Sequence, residues 1–240
     1  MAIIYAPKGK AREYCELALN LYRGCNHGCS YCYSPKILRM SKEDFINASP
    51  RKDILSQIEK EAPQYSGREI QLCFTCDPYH QLDEKLLLTR EVILILHRNN
   101  ITVRILTKGG QRSERDFDLL FANKNKSWYG ATLTFIKDED SKLYEPQAAL
   151  PLERFKALEK AHALGIKTWA SLEPVIKPEQ TLEIIEQTLK YIDVFKIGKW
   201  NYDKEADKID WRDFINKAIL ILKYNNKEFY IKKDLLPYVN

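Results

Sequence analysis

Three cysteines stand close together in the stretch Arg23-Gly24-Cys25-Asn26-His27-Gly28-Cys29-Ser30-Tyr31-Cys32-Tyr33. Their spacing is C-x3-C-x2-C, three thiols within eight residues. A loop this short, eased by Gly24 and Gly28, can curl so that three thiolates converge on one inorganic cluster. Four-thiolate sites for zinc or ferredoxin clusters need a fourth ligand, and none lies beside this loop. Cys15, Cys73, Cys76 or a histidine such as His27 would have to come from elsewhere. Three protein ligands leave one metal position open, and an open position is what a catalytic centre needs. Structural zinc through Cys25, Cys29, Cys32 and another residue is one alternative, and incidental clustering is another. Spacing, the preceding strand and the flanking aromatics favour a three-cysteine iron–sulfur site.

Those thiols need a scaffold, and the rest of the chain reads as an alternation of strands and helices. Strand-like stretches are 69–75, 101–107, 129–135, 166–172, 194–197 and 228–231, with 17–22 as a first strand. Helix-like stretches are 50–61, 83–98, 113–121, 151–164, 178–190 and 211–225. Leu86, Leu87, Val92, Ile93 and Leu96 recur near the period of about 3.6 that marks one helix face. Pro151 and Pro178 suit a first helical turn, and Gly165 suits the left-handed residue after a helix end. The strands are short, β-branched and apolar, as parallel strands covered by helices are. Regular alternation predicts a parallel β/α fold of about six units, a partial TIM-type barrel. No G-x-G-x-x-G follows a strand, which weighs against a dinucleotide fold. In such barrels the chemistry sits at the C-terminal ends of strands. The places to inspect therefore follow Tyr22, Thr75, Thr107, Phe135, Leu172 and Ile197. One domain over 1–240 is expected, with an N-terminal segment at 1–16, the barrel at about 17–225 and a short extension at 226–240.

The chain has 240 residues, 45% hydrophobic and 30% charged, which excludes a disordered protein, a small disulfide scaffold and a coiled coil. No apolar run approaches the roughly 18 residues of a membrane helix. The first residues lack an apolar core and a cleavage site for a secretory leader, so a cytoplasmic protein is expected. Six cysteines in a reducing compartment are metal ligands or reactive thiols rather than disulfides. The net charge of +5 permits a polyanionic partner without demanding one.

The cysteine loop after a first strand resembles the radical S-adenosylmethionine (radical SAM) superfamily, and more closely its spore photoproduct lyase-like branch. Residues 20–33 resemble that branch's Y-R-G-C-x-H-G-C-x-Y-C-Y. Thr75-Cys76-Asp77-Pro78-Tyr79 resembles T-D-P-Y, Thr107-Lys108 resembles T-K, and Arg115-Asp116 resembles R-D. Glu145-Pro146 with Pro151-Leu152-Glu153-Arg154 resembles E-P…P-x-x-R. The matches run in order over most of the chain.

The resemblance implies a [4Fe–4S] cluster on Cys25, Cys29 and Cys32, with S-adenosylmethionine on the fourth iron. Reduction would release a 5′-deoxyadenosyl radical for hydrogen abstraction, and an external flavodoxin- or ferredoxin-like protein would supply the electron. By the same resemblance Tyr31 or Tyr33 packs near the adenine, and Lys108 meets the cofactor carboxylate as a point charge. Thr132 or Thr134 stands for a cofactor-contacting serine, and Thr75, Cys76 and Asp77 line the cofactor side. Ser171 and Glu173 end the fifth strand and are candidate cofactor contacts, and a glutamate in that apolar context needs a partner. The family's hydrogen-donor cysteine falls on Phe74 here, which cannot donate. Strand alternation would put Cys76 on the face of Phe74 and Cys73 on the other, making Cys76 the candidate thiol donor. Lys196, Lys199 and Trp200 are candidate substrate contacts. Trp200, Tyr202 and Trp211 beside lysines would offer nucleic acid a weak, salt-sensitive face. The substrate is left open among a nucleic-acid lesion or nucleobase, a peptide and a small molecule. The competing function is a non-enzymatic iron–sulfur or zinc protein.

Overall fold

The computed structural model describes residues 2–240. Its strands are β1 (Ala18–Leu19), β2 (Tyr22–Arg23), β3 (Ser49–Pro50), β4 (Glu69–Leu72), β5 (Thr102–Thr107), β6 (Ser127–Thr132), β7 (Lys167–Val175), β8 (Val194–Lys199) and β9 (Glu228–Ile231). The helices are α1 (Ser34–Leu38), α2 (Lys42–Ile46), α3 (Ile54–Glu61), α4 (Asp83–Leu86), α5 (Leu88–Arg98), α6 (Phe117–Ala122), α7 (Asp138–Tyr144), α8 (Pro151–Ala163), α9 (Pro178–Thr188) and α10 (Trp211–Tyr224). Seven strands form one sheet in the order β1-β4-β5-β6-β7-β8-β9, every neighbouring pair parallel. Helices cover its outer face, so the predicted partial β/α barrel is present.

Local chemistry explains the helices. Pro151 opens α8, and the Glu153 carboxylate accepts from Leu150 N at 2.7 Å. Gly165, at φ +76°, ends it in the left-handed conformation that glycine adopts without strain. Asp210 caps α10 by accepting from Asp213 N. Fully buried Ile105, Leu172, Phe195, Ile197, Ile184, Ile185 and Leu222 belong to one continuous core, and the aliphatic surface they remove from water drives the packing.

Several boundaries differ from expectation. The predicted strand 17–22 stops at Leu19, and Tyr22–Arg23 turns away to pair antiparallel with Ser49–Pro50. Pro50 therefore belongs to a strand, and the helix expected over 50–61 begins at Ile54. The strand expected over 69–75 ends at Leu72, because Asn20 Oδ1 captures Phe74 N at 2.8 Å and Thr75 N at 2.9 Å. The strand expected over 129–135 lies at 127–132. The helix expected over 83–98 breaks at Leu87, which is left-handed at φ 53°. The Asp83 carboxylate accepts from Thr89 N and restarts the helix. The sheet also runs on to Ile231, past the expected barrel end at 225, because β9 completes the ladder of β8.

An open parallel sheet has two bare edges, here β1 and β9, and residues 5–14 lie across the gap between them. Tyr5 exchanges both backbone hydrogen bonds with Ala18 at 2.9 Å. The Glu13 carboxylate accepts from Lys233 N and the Tyr230 hydroxyl. Lys10 pairs with Asp234 at 2.7 Å.

Candidate active site

The cysteine loop leaves β2 at the C-terminal mouth of the sheet. All six cysteines are free. Cys25 is buried, while Cys29 and Cys32 are partly exposed. Burial pushes the Cys25 thiol well up, and Asp77 adds to it. Burial likewise takes Cys29 to about 12, against the opposing pull of Lys108. Such thiols stay protonated until a metal displaces the proton. Among the described residues no three His, Cys, Asp or Glu side chains converge as a single-ion site. An iron–sulfur cluster takes each thiolate on its own iron, so its ligands need not meet at one point.

Asp77 braces the loop. Its Oδ1 accepts from Tyr79 N at 2.8 Å and from the Thr107 hydroxyl at 2.6 Å. Its Oδ2 accepts from Lys108 N at 2.7 Å and lies 3.5 Å from His27 Nδ1. Burial alone would raise its pKa, but His27, Thr107 and the two backbone donors hold it below the usual carboxylate range. These donors make Asp77 a brace between the two loops. His27 is also engaged. Arg112 lies 3.2 Å from its Nε2, and burial first, then Arg112 and Lys108, take its pKa to about 3. It is a strut of the loop, not a fourth ligand. Cys15 donates to Glu69 O at the opposite end of β4 and is not one either.

Lys108 faces the site from the end of β5. Among the described residues no acceptor takes a hydrogen bond from its ammonium, which lies 5.6 Å from the centre of the Tyr31 ring. Burial alone would lower its pKa, yet Cys29 and Glu145 raise it. The Tyr31 hydroxyl donates to Glu145, which pairs with Arg154 at 2.5 Å, both nearly inaccessible. Thr134 lies 3.4 Å from the Tyr31 hydroxyl. Thr132 is buried, and its carbonyl accepts from Arg154 at 3.0 Å. Tyr33 donates to Phe74 O at 3.1 Å. The Thr75 hydroxyl is buried with no partner, an orphan of the kind a bound group satisfies.

The expected alternation of Cys73 and Cys76 fails, because the strand has already ended at Leu72. Cys73 is buried and Cys76 partly exposed, and burial pushes the Cys73 thiol well up. Ser171 and Glu173 point into the barrel, where both contact the Tyr14 hydroxyl. Lys232, almost fully buried, donates to Glu173 at 2.6 Å. The partner that Glu173 needs therefore comes from segments far away in sequence, with no local signal to reveal them. Gly198 leaves the space, since a Cβ there would sit 2.6 Å from Glu173 Cδ.

The substrate face expected at Lys196, Lys199 and Trp200 is not assembled. Lys196 is sealed inside, donating to Glu13 O at 3.2 Å and Tyr14 O at 3.1 Å. Lys199 sits over the Trp211 and Tyr238 rings on the other side of β8, and Trp200 is buried in the core. Alternation along β8 separates Lys196 from Lys199.

A family model described as the radical SAM superfamily matches residues 19–192, most of the chain. The chain belongs to the radical SAM superfamily. A curated relative, "Uncharacterized protein ORF301" of Acidianus two-tailed virus, is 23% identical over 188 residues. That match covers 73% of this chain and 61% of the relative. A spore photoproduct lyase variant solved with AdoMet and dinucleoside spore photoproduct superposes at TM-score 0.71 and 14% identity, covering 94% of this chain and 78% of that one. SuiB of Streptococcus suis bound to S-adenosylmethionine gives TM-score 0.65 and 14% identity, with 90% of this chain and 49% of that chain covered. At such identities the structures establish a shared fold. The cofactors of the radical SAM superfamily are a [4Fe–4S] cluster and S-adenosylmethionine. Three free thiols in one loop, an unengaged ammonium and an orphaned hydroxyl fit that pair. Among the described residues no helix is long and apolar enough to cross a membrane.

Proposed function

We propose that this chain is a radical SAM enzyme of the spore photoproduct lyase-like kind, holding its cluster through Cys25, Cys29 and Cys32. The observation that carries this reading is three free thiols in one loop at the C-terminal mouth of the barrel, beside the unengaged ammonium of Lys108. When bound, the cluster and S-adenosylmethionine supply a 5′-deoxyadenosyl radical that abstracts hydrogen from an organic substrate.

The protein's part is to bind and aim. Lys108 offers a positive charge to the cofactor carboxylate, and Asp77 fixes that lysine's backbone. Thr75 offers its unpaired hydroxyl. Tyr31 is held flat against the site by Glu145, and Tyr33 by Phe74 O, so both rings can flank the adenine. Thr132 and Thr134 line the neighbouring strand end. Ser171 and Glu173 form the far wall, locked by Tyr14 and Lys232 rather than free to contact the cofactor. Cys76, partly exposed where Cys73 is buried, is the thiol we assign to return a hydrogen atom to a product radical. The substrate is a nucleic-acid lesion or nucleobase, a peptide or a small molecule, and an external reductant is required.

The test is anaerobic reconstitution with iron and sulfide, reduction, addition of S-adenosylmethionine and assay of 5′-deoxyadenosine. Deoxyadenosine from the parent and none from Cys29→Ala is the expected result. Stoichiometric zinc with no uptake of iron would overturn the reading.

A further inference from the structure

The cysteine loop is wrapped on one side by α1 and α2. Cys25 N donates to Phe45 O at 2.8 Å, and Asn26 Nδ2 donates to Ile46 O at 2.7 Å. The Lys42 ammonium lies 3.4 Å from Ser30 O. Gly24 permits the approach, since a Cβ there would lie 2.4 Å from Phe45 O.

The exposed surface of this wrapping carries aliphatic side chains and cations. Ile37 is 62% exposed and Ile46 42% exposed. In the same segments and in β2, Arg23, Lys36, Arg39 and Lys42 are all exposed. Among the described residues none of these four cations forms an ion pair. Elsewhere on the surface, Lys160, Lys208 and Lys217 each have a carboxylate within 2.7 Å. Two acids share the segment, exposed Glu43 and Asp44, the latter accepting from the Ser41 hydroxyl, so four cations face two carboxylates.

We infer that this face docks an acidic one-electron carrier protein that reduces the cluster. The inference rests on the cluster reading above. Unpaired cations with exposed aliphatic side chains complement an acidic surface with an apolar contact, and charge of this kind accelerates encounter. One peptide hydrogen bond joins the covering segment to the first cluster ligand, so the carrier would sit against the segment that holds Cys25. Nucleic acid would favour aromatic stacking faces, whereas Ile37 and Ile46 are aliphatic. Substrate must instead reach the side where Lys108 and Tyr31 stand.

The experiment uses the reconstituted holoenzyme and a reduced acidic flavodoxin. Stopped-flow absorbance follows cluster reduction by flavodoxin or by dithionite, and calorimetry follows binding. Lys36→Glu with Lys42→Glu reverses two charges, and glutamate at the first turn of α2 suits that helix end. Arg39→Asn removes a third charge at a left-handed position, φ 54°, that asparagine tolerates. The expected result is a flavodoxin rate that falls with salt in the parent and drops on the order of 10- to 100-fold at low salt in the double variant. Dithionite should reduce all variants equally, which also shows that they fold. Parental flavodoxin rates in the variants would overturn the inference. So would loss of nucleic-acid binding with flavodoxin transfer untouched. A parent that takes up no iron–sulfur cluster on reconstitution refutes the cluster reading itself, and that appears before flavodoxin is added.

Discussion

Replacing Asp77 by asparagine keeps the size of the side chain and removes one acceptor oxygen. The carboxylate now serves Tyr79 N, the Thr107 hydroxyl and Lys108 N, all within 2.8 Å. An amide has one oxygen and one NH2, so two orientations exist. If the oxygen faces Tyr79 and Thr107, the NH2 meets the Lys108 N–H, donor against donor. If the oxygen faces Lys108, the Thr107 hydroxyl can rotate to accept, but Tyr79 N is stranded. Either way one buried backbone N–H loses its partner, at about 1–3 kcal/mol, and the bonds that remain lose their charge assistance. The sum is about 2–4 kcal/mol, a large share of the roughly 5–15 kcal/mol that holds a domain together. Urea unfolding of Asp77→Asn against the parent measures it. Thr107→Val removes the donor to Asp77 and also the acceptor of Gly109 N at 2.7 Å, and should cost about 1–3 kcal/mol. Because Asp77 also holds the Lys108 backbone, S-adenosylmethionine should bind the reconstituted Asp77→Asn protein more weakly, as calorimetry would show. A variant within 0.5 kcal/mol of the parent, with unchanged cofactor affinity, would refute the clamp.

Three other substitutions probe the barrel interior. A Cβ at Gly130 would lie 2.3 Å from Trp169 ring atoms, so Gly130→Ala should destabilise by about 1–3 kcal/mol or more. Adding Trp169→Leu should relieve the clash, giving a favourable coupling in a double-mutant cycle read by urea unfolding. Lys196 has its pKa lowered to about 8 by burial first and then by Arg104. Its folded value lies below its unfolded value, so the unfolded chain binds more protons between about pH 8 and 10.5. Stability should rise with pH across that window, and Lys196→Met should remove that part of the slope. Equal slopes in the two proteins would contradict the assignment.

What could be read from the amino-acid order was whatever local pattern dictates. The cysteine spacing, the apolar strands and the proline and glycine marks at helix ends are signals within a few residues of one another. They led to the loop, the parallel sheet and most helices. What escaped depends on contacts across the chain. Nothing near Leu72 announces that Asn20 will take the next two backbone donors. Nothing near Glu173 points to Tyr14 and Lys232. Lys196, Lys199 and Trp200 looked like one face because they are neighbours in sequence, but strand alternation and the core divide them. The bracing role of Asp77 depends on donors from Tyr79, Thr107 and Lys108, two of them about thirty residues away, which no local pattern announces.

The strap of residues 5–14 across the open seam has a consequence for the order of assembly. Lys10 finds Asp234, and Glu13 finds Lys233, over more than two hundred residues of intervening chain. A ribosome delivers the cysteine loop long before β9, so the thiols emerge while the wall behind Glu173 is still missing. Contacts so distant in sequence form late, because the entropy of closing a long loop is lost before they return any energy. An emerging chain would therefore display three unprotected thiols on a half-built sheet. Cluster insertion is best timed after β9 docks, when Lys232 and Tyr14 close the barrel around the site.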